Sequence, residues 1–204
     1  MTRLDHDSPP APPLPELHGH GLRLRPWDAG SQTDVDAWLR GRTDPEFQRW
    51  NTPLVITRDL DSARESLLGS ARSAAEGTSA PYCITDGETG RPLGHIGVNL
   101  INRVMRSGRV GYWVLPEARG HRVATRALAL VAPWALGDPG LHLHRLELDH
   151  AVGHDASCRI AERCGFRYEG TLRGAMWEAG RHDAYRDMHL HARLAGDPEP
   201  PDAV

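Results

Sequence analysis

Apolar and polar positions recur along this chain in two periods, and each period predicts an element. Leu22-Arg23-Leu24-Arg25-Pro26 alternates and closes on proline, the pattern of a half-buried strand. Asp34 to Gly41 carries Val35, Trp38 and Leu39 on one side, which predicts a short helix. Thr57 can cap a longer helix whose first turn holds Asp59 and Asp61, suited to the positive end of a helix dipole; Gly77 stops it. Three strands follow as a meander over 81–85, 93–101 and 108–115, the first turn being Asp86–Gly90. Beyond a loop at 116–120, a helix from about Arg122 shows Val123, Ala127, Leu130, Val131 and Trp134 on one face. Pro133 predicts a kink or an early end there, because an interior proline costs about 3 kcal/mol. Leu143–His150 alternates as a strand. Asp155 is read as the cap of a helix reaching Cys164, with Ile160, Ala161 and Cys164 inward and Gly165 as its stop. Strands over 166–172 and 184–192 end the pattern.

The order β-α-α-β-β-β-α-β-α-β-β describes an α+β fold around one mixed sheet of about seven strands, with helices on both faces. Half of the 16 prolines crowd the two ends. Residues 1–17 and 195–204 are therefore expected to be disordered tails around a single domain at 18–194. Residues 1–17 lack the apolar core of a signal peptide, and no apolar run approaches the ~18 residues of a membrane helix. A cytoplasmic protein with no membrane partner is the expectation.

Composition narrows the chemistry. The 204 residues are 39% hydrophobic and 25% charged, and the net charge of −3 argues against a dedicated nucleic-acid binder. All 24 basic residues are arginine. Without lysine there is no P-loop, no pyridoxal Schiff base and no protein-kinase strand lysine. Cys83, Cys158 and Cys164 form no C-x-x-C pair, which suits reduced intracellular thiols. Among the 12 histidines, His142 and His144, and likewise His189 and His191, lie two apart, so each pair shares a strand face. No H-E-x-x-H occurs and the carboxylates form no ligand pattern, so no metal is expected.

The most informative stretch runs from Gly111 to Leu130: a strand, a short loop rich in arginine and glycine, then a helix start. A helix start offers unpaired N–H groups and a positive dipole end. Gly120 lets backbone approach a ligand, while Arg119, His121, Arg122 and Arg126 add charge. Spacing alone leaves two readings open, a pyrophosphate cradle and a solvated basic loop.

Gly111-Tyr112-Trp113, Pro116, Arg119, Gly120, Ala124 and Thr125 resemble the acetyl-CoA-binding motif of the GNAT N-acetyltransferases. They are closest in pattern to the branch of ribosomal-protein N-terminal acetyltransferases of the RimJ/RimL type. Ala156-Ser157, Arg159, Glu162, Gly165 and Phe166 resemble that branch's second motif. Glu169-Gly170, Leu172-Arg173 and Asp187-Met188-His189-Leu190 resemble its closing hairpin, and Asp44 to Trp50 its acceptor-side loop. Two positions depart from the pattern: Arg122 stands where a glycine is expected, and His154 where an asparagine is.

The resemblance implies a transferase that binds acetyl-CoA as acyl donor and needs no metal. It implies a donor site of Trp113, Val114, Leu115, Arg119, Gly120, His121, Arg122, Val123, Ala124, Thr125, His154 and Ser157. A neutral amine would attack the thioester beside the 113–115 strand, with Ser157 near the sulfur. Glu46, His95 and Tyr112 are the candidates for proton transfer, and Trp50 and His95 for contact with the acceptor. That acceptor would be a primary amine on a protein N-terminus or a small molecule, and a homodimer stays open. Two further readings stay open: a carrier-protein or aminoacyl-tRNA donor, and a non-catalytic ligand-binding module.

Overall fold

The computed structural model describes residues 11–51 and 56–201. Among them, eight strands form one sheet in the order β1-β2-β3-β4-β5-β6-β8-β7. They are β1 (Leu17–Gly19), β2 (Leu22–Pro26), β3 (Ala80–Asp86), β4 (Pro92–Asn102), β5 (Ser107–Val114), β6 (Arg145–Ala151), β7 (Arg167–Trp177) and β8 (Tyr185–Leu194). Neighbours are antiparallel except β5 and β6, which run parallel. The helices are α1 (Gln32–Thr43), α2 (Pro45–Trp50), α3 (Leu60–Ala75), α4 (Val123–Leu136) and α5 (Asp155–Arg163).

Alternation along β5 assigns the two layers. Val110, Tyr112 and Val114 join a core with Leu128 and Val131 of α4 and Ala161 of α5. Trp113 and Leu115 point the other way, into a second core with Val35 and Trp38 of α1, Phe47 of α2 and Leu67 of α3. Fully enclosing a Leu- or Val-sized side chain stabilises by roughly 1.5–3 kcal/mol, so both layers hold the sheet from either side. Gly41 is required by this packing. A Cβ there would lie 2.1 Å from the Trp113 ring, so α1 approaches β5 only through a residue without a side chain.

Several details differ from the sequence pattern. The sheet has an eighth strand, β1, whose three residues pair with β2 from Leu17↔Leu24 to Gly19↔Leu22. Ordered chain also starts before residue 18: the Ala11 N–H donates to the Ala75 carbonyl at 2.9 Å, and Leu14 and Leu17 pack on the core. At the other end the Leu194 N–H donates to the Asp197 carboxylate at 2.8 Å. The 44–50 segment is not a loop. Asp44 accepts from the Phe47 N–H at 2.9 Å and Pro45 fills the first helical position, which together start α2. Asp59, not Thr57, caps α3, in a reciprocal capping box with Ser62. His154 is the residue preceding α5, and Asp155 is its first helical residue. Pro133 does not end α4, which continues to Leu136.

Candidate functional site

The site begins where two parallel strands stop pairing. β5 and β6 are in register only from Ser107↔Arg145 to Arg109↔Glu147. Beyond that point they diverge, and the sheet opens into a wedge. A cavity of about 60 Å³ occupies the wedge between Val110–Tyr112 and Leu148–His150. It shares Trp50, Asn51, Tyr112, His154 and Ser157 with a larger one of about 290 Å³ that reaches the start of α4.

The larger cavity collects most of the expected residues. Trp113, Val114, Arg119, Gly120, Arg122, Val123, Ala124, Thr125, His154 and Ser157 line it, and so do Tyr112, Glu46 and Trp50. Three do not. Leu115 is enclosed in the core under α1–α3, and His121 is exposed outside the cavity. His95 lies on the opposite sheet face, on a separate groove between α3 and β4. Its Nδ1 accepts from the Trp27 indole at 3.0 Å, and its ring stacks near Trp113. Burial, with the Arg42 charge adding to it, pulls its pKa down to about 3. His95 is thus a packed, neutral residue that lines this groove and not the cavity. Phe47, Asn51, Ala118, Ala156 and Ile160 also line the cavity and were not among the expected site residues.

The start of α4 fits a phosphate group. Gly120 has φ +80, and nothing lies within 4 Å of where its Cβ would be. Arg122 precedes the helix in the left-handed region, φ 54 and ψ 23, and its side chain makes no capping bond. The first intrahelical bond runs from the Arg126 N–H to the Arg122 carbonyl, so the N–H groups of Val123, Ala124 and Thr125 are left for a ligand. Among the arginines, Arg119 pairs with Asp44 and donates to the Val114 carbonyl, and Arg126 donates to the His20 carbonyl. Arg122 has no such partner among the described residues. Of these three arginines it is the one free to meet an anion.

A directional hydrogen-bond chain crosses the cavity. The Tyr112 hydroxyl donates to Ser157 Oγ at 3.2 Å, and Ser157 Oγ lies 3.2 Å from His154 Nδ1. Burial holds the Tyr112 hydroxyl well above the usual phenol range, so it stays protonated. Burial, with His150 nearby, lowers the His154 pKa to about 4, so its ring is neutral at pH 7. A neutral His154 can accept the Ser157 proton. The Trp50 indole donates to Glu46 Oε1 at 2.7 Å, which holds that exposed carboxylate at the cavity mouth.

A sheet wedged open between its parallel strands, with a bare helix start at one end, offers room for a ligand that carries a phosphate group. Residues 21–167 match the acetyltransferase (GNAT) domain family, and the chain belongs to it. A ribosomal-protein-serine acetyltransferase of Escherichia coli (strain K12) is 27% identical over 148 residues, covering 72% of this chain and 78% of its own. The match to YdaF of Bacillus subtilis (strain 168) is 31% over 93 residues, 46% of this chain and half the length of that relative. Among solved structures, Mycobacterium smegmatis RimJ in complex with CoA-disulfide superposes with a TM-score of 0.77 at 26% identity, covering 93% of this chain and 90% of its own. RimL, a ribosomal L7/L12 α-N-protein acetyltransferase in complex with coenzyme A, shares the fold at a TM-score of 0.75 and 20% identity, over 86% of this chain and 95% of its own.

Proposed function

We propose that this acetyltransferase moves an acetyl group from acetyl-CoA to a primary amine of the protein N-terminus class, without an enzyme-bound intermediate. The observation that carries the reading is the pair of adjoining cavities, one at the start of α4 and one in the β5–β6 wedge, with the Tyr112–Ser157–His154 chain lining both. The names of the relatives support the donor and the acceptor class.

In this reading the N–H groups of Val123–Thr125 and the Arg122 guanidinium take the pyrophosphate. The amine nitrogen attacks the thioester carbon; the C–S bond then breaks and coenzyme A leaves as thiolate. Ser157 turns its hydroxyl from His154 to that sulfur and gives it a proton while taking one from Tyr112, whose own proton returns from solvent as coenzyme A departs. Glu46 is the favoured acceptor of the amine proton, since it is the carboxylate lining the cavity mouth. His95 is neutral and does not line the cavity, so this reading gives it no step.

The experiment is a thiol-release assay with acetyl-CoA across an amine panel: peptides with free N-terminal serine or alanine, a peptide whose sole amine is a lysine side chain, and small diamines. Turnover of the N-terminal peptides with little on the lysine peptide supports the reading. Turnover confined to the small amines overturns the acceptor class. Coenzyme binding without thiol release from any amine would favour a ligand-binding module.

A further inference from the structure

Behind Ser157, the next residue of α5 points into a different group of side chains. His150 on β6 is in register with His189 on β8, and Leu148 with His191. Cys158 descends from α5 onto these three histidines, and one donor atom from each of the four residues lies within 4.8 Å of all the others. We propose that Cys158, His150, His189 and His191 form a zinc site that pins α5, and with it Ser157, to β6 and β8.

Distances carry the argument first. Cys158 Sγ lies 3.4 Å from His150 Nε2 and 3.3 Å from His189 Nδ1. With Zn–S near 2.3 Å and Zn–N near 2.0–2.1 Å, a tetrahedral site sets sulfur and nitrogen about 3.5 Å apart and two nitrogens about 3.3 Å apart. The sulfur edges to His150 and His189 are therefore close to their bound lengths, and the remaining edges, all within 4.8 Å, shorten on binding by rotation of the imidazoles.

Hydrogen bonding carries it further. His150 Nδ1 sits 3.0 Å from the Ala151 carbonyl, so its N–H is spent there and the Nε2 lone pair faces Cys158. An outer N–H held by a carbonyl is how protein scaffolds orient ligating histidines. His191 is fully enclosed, yet neither ring nitrogen makes a hydrogen bond of ordinary geometry; the Phe166 carbonyl acts on the ring from outside the cluster. A purely hydrogen-bonded cluster leaves the ring nitrogen that His191 turns inward without a partner, at a cost in free energy. A metal ion takes that lone pair. Burial lowers the pKa of His150 and of His191, so both offer lone pairs at neutral pH.

Burial and the nearby Glu162 and Asp155 raise the Cys158 pKa, so the group is a thiol in the absence of a cation. On binding, Zn²⁺ accepts the sulfur and three nitrogen lone pairs and the thiol proton leaves to solvent, with no change of oxidation state. Four protein ligands fill a tetrahedron and leave no open position, the signature of a structural site rather than a catalytic one. Sequence spacing put His189 and His191 on one face, but only the fold brings His150 and Cys158 to them.

The test uses the full-length protein stripped with a chelator and titrated with Co²⁺ as a spectroscopic stand-in for zinc. The expected result is a thiolate-to-cobalt charge-transfer band and intense visible bands of tetrahedral Co²⁺, both saturating at one equivalent. Zn²⁺ should bleach both and raise Tm. Cys158→Ser should lose the charge-transfer band, and His189→Gln, at a half-buried position that tolerates change, should weaken Co²⁺ binding roughly tenfold or more. No charge-transfer band in the parent protein, or a band that persists in Cys158→Ser, overturns the site. So does a Tm indifferent to Zn²⁺.

Discussion

The Trp50 indole lies flat on the His154 imidazole, with ring centres 4.5 Å apart and planes 2° from parallel. The contact joins the end of α2 to the start of α5 across the cavity, linking the acceptor side of the site to the residue that orients Ser157. The guanidinium groups of Arg49 and Arg186 lie 4.9 Å and 6.0 Å from the Trp50 ring, which adds cation–π attraction to the same clamp. His154, where relatives of this type are expected to carry asparagine, thus has a defined local role: it stacks and it accepts.

Ser157 and Tyr112 should act on the chemical step. If their chain protonates the leaving thiolate, Ser157→Ala lowers kcat more than it raises KM, by about 10²–10⁴-fold with partial rescue by water. Tyr112→Phe should lower kcat as well and leave the donor KM nearly unchanged. Steady-state kinetics with both variants checks this. A Ser157→Ala protein with full kcat would shift the acid role to Tyr112 acting alone.

Arg122 should act on binding and on stability in opposite directions. Its left-handed conformation costs about 1–2 kcal/mol in a residue with a Cβ, and glycine avoids that cost but loses more entropy on folding. Arg122→Gly is expected to raise Tm by about 1–4 °C. The same change removes the unpaired guanidinium and should raise the donor KM with kcat nearly steady. Thermal melts and donor saturation curves read the two effects separately.

Acid should weaken the fold through His95. Its folded pKa, about 3, lies below the ~6.5 of an unfolded histidine, so between those values the unfolded chain binds a proton that the folded one does not. Stability from this group is complete above about pH 6.5 and is lost as pH falls towards 3. His95→Gln keeps an acceptor for the Trp27 N–H and removes the titration. Denaturant melts from pH 7 to 4 should show a shallower decline for that variant; equal slopes would assign the acid sensitivity elsewhere.

Gly41 should tolerate no side chain. A Cβ 2.1–2.6 Å from three atoms of the buried Trp113 ring forces α1 away from β5. Overpacking of this kind costs about 1–3 kcal/mol or more, so Gly41→Ala should lower Tm by several degrees, read by calorimetry.

Much of this was legible in the sequence, for physical reasons that differ by element. The strand, loop and helix from Gly111 to Leu130 announced themselves because an alternating pattern gives way to a helical one around a glycine. β1 was not legible, since three residues carry no period. α2 did leave a signal, the Asp44 cap followed by Pro45, but six residues hold too few apolar positions to outweigh a loop reading. Ser157, Tyr112 and His154 were each named from the motifs, but not that they meet: Tyr112 lies 45 residues from Ser157 and reaches it only once α5 packs on β5. The face on which His95 lies was not legible either, a distinction that depends on which layer covers Trp113.

The central claim, that the donor lies between the start of α4 and the β5–β6 wedge, is tested most directly by amide hydrogen exchange with and without acetyl-CoA. Slower exchange is expected at Val123, Ala124 and Thr125 and across 154–158, with the α3–β4 groove beside His95 unchanged. Unaltered exchange in those two segments at millimolar acetyl-CoA, or protection centred on the α3–β4 groove, would contradict it.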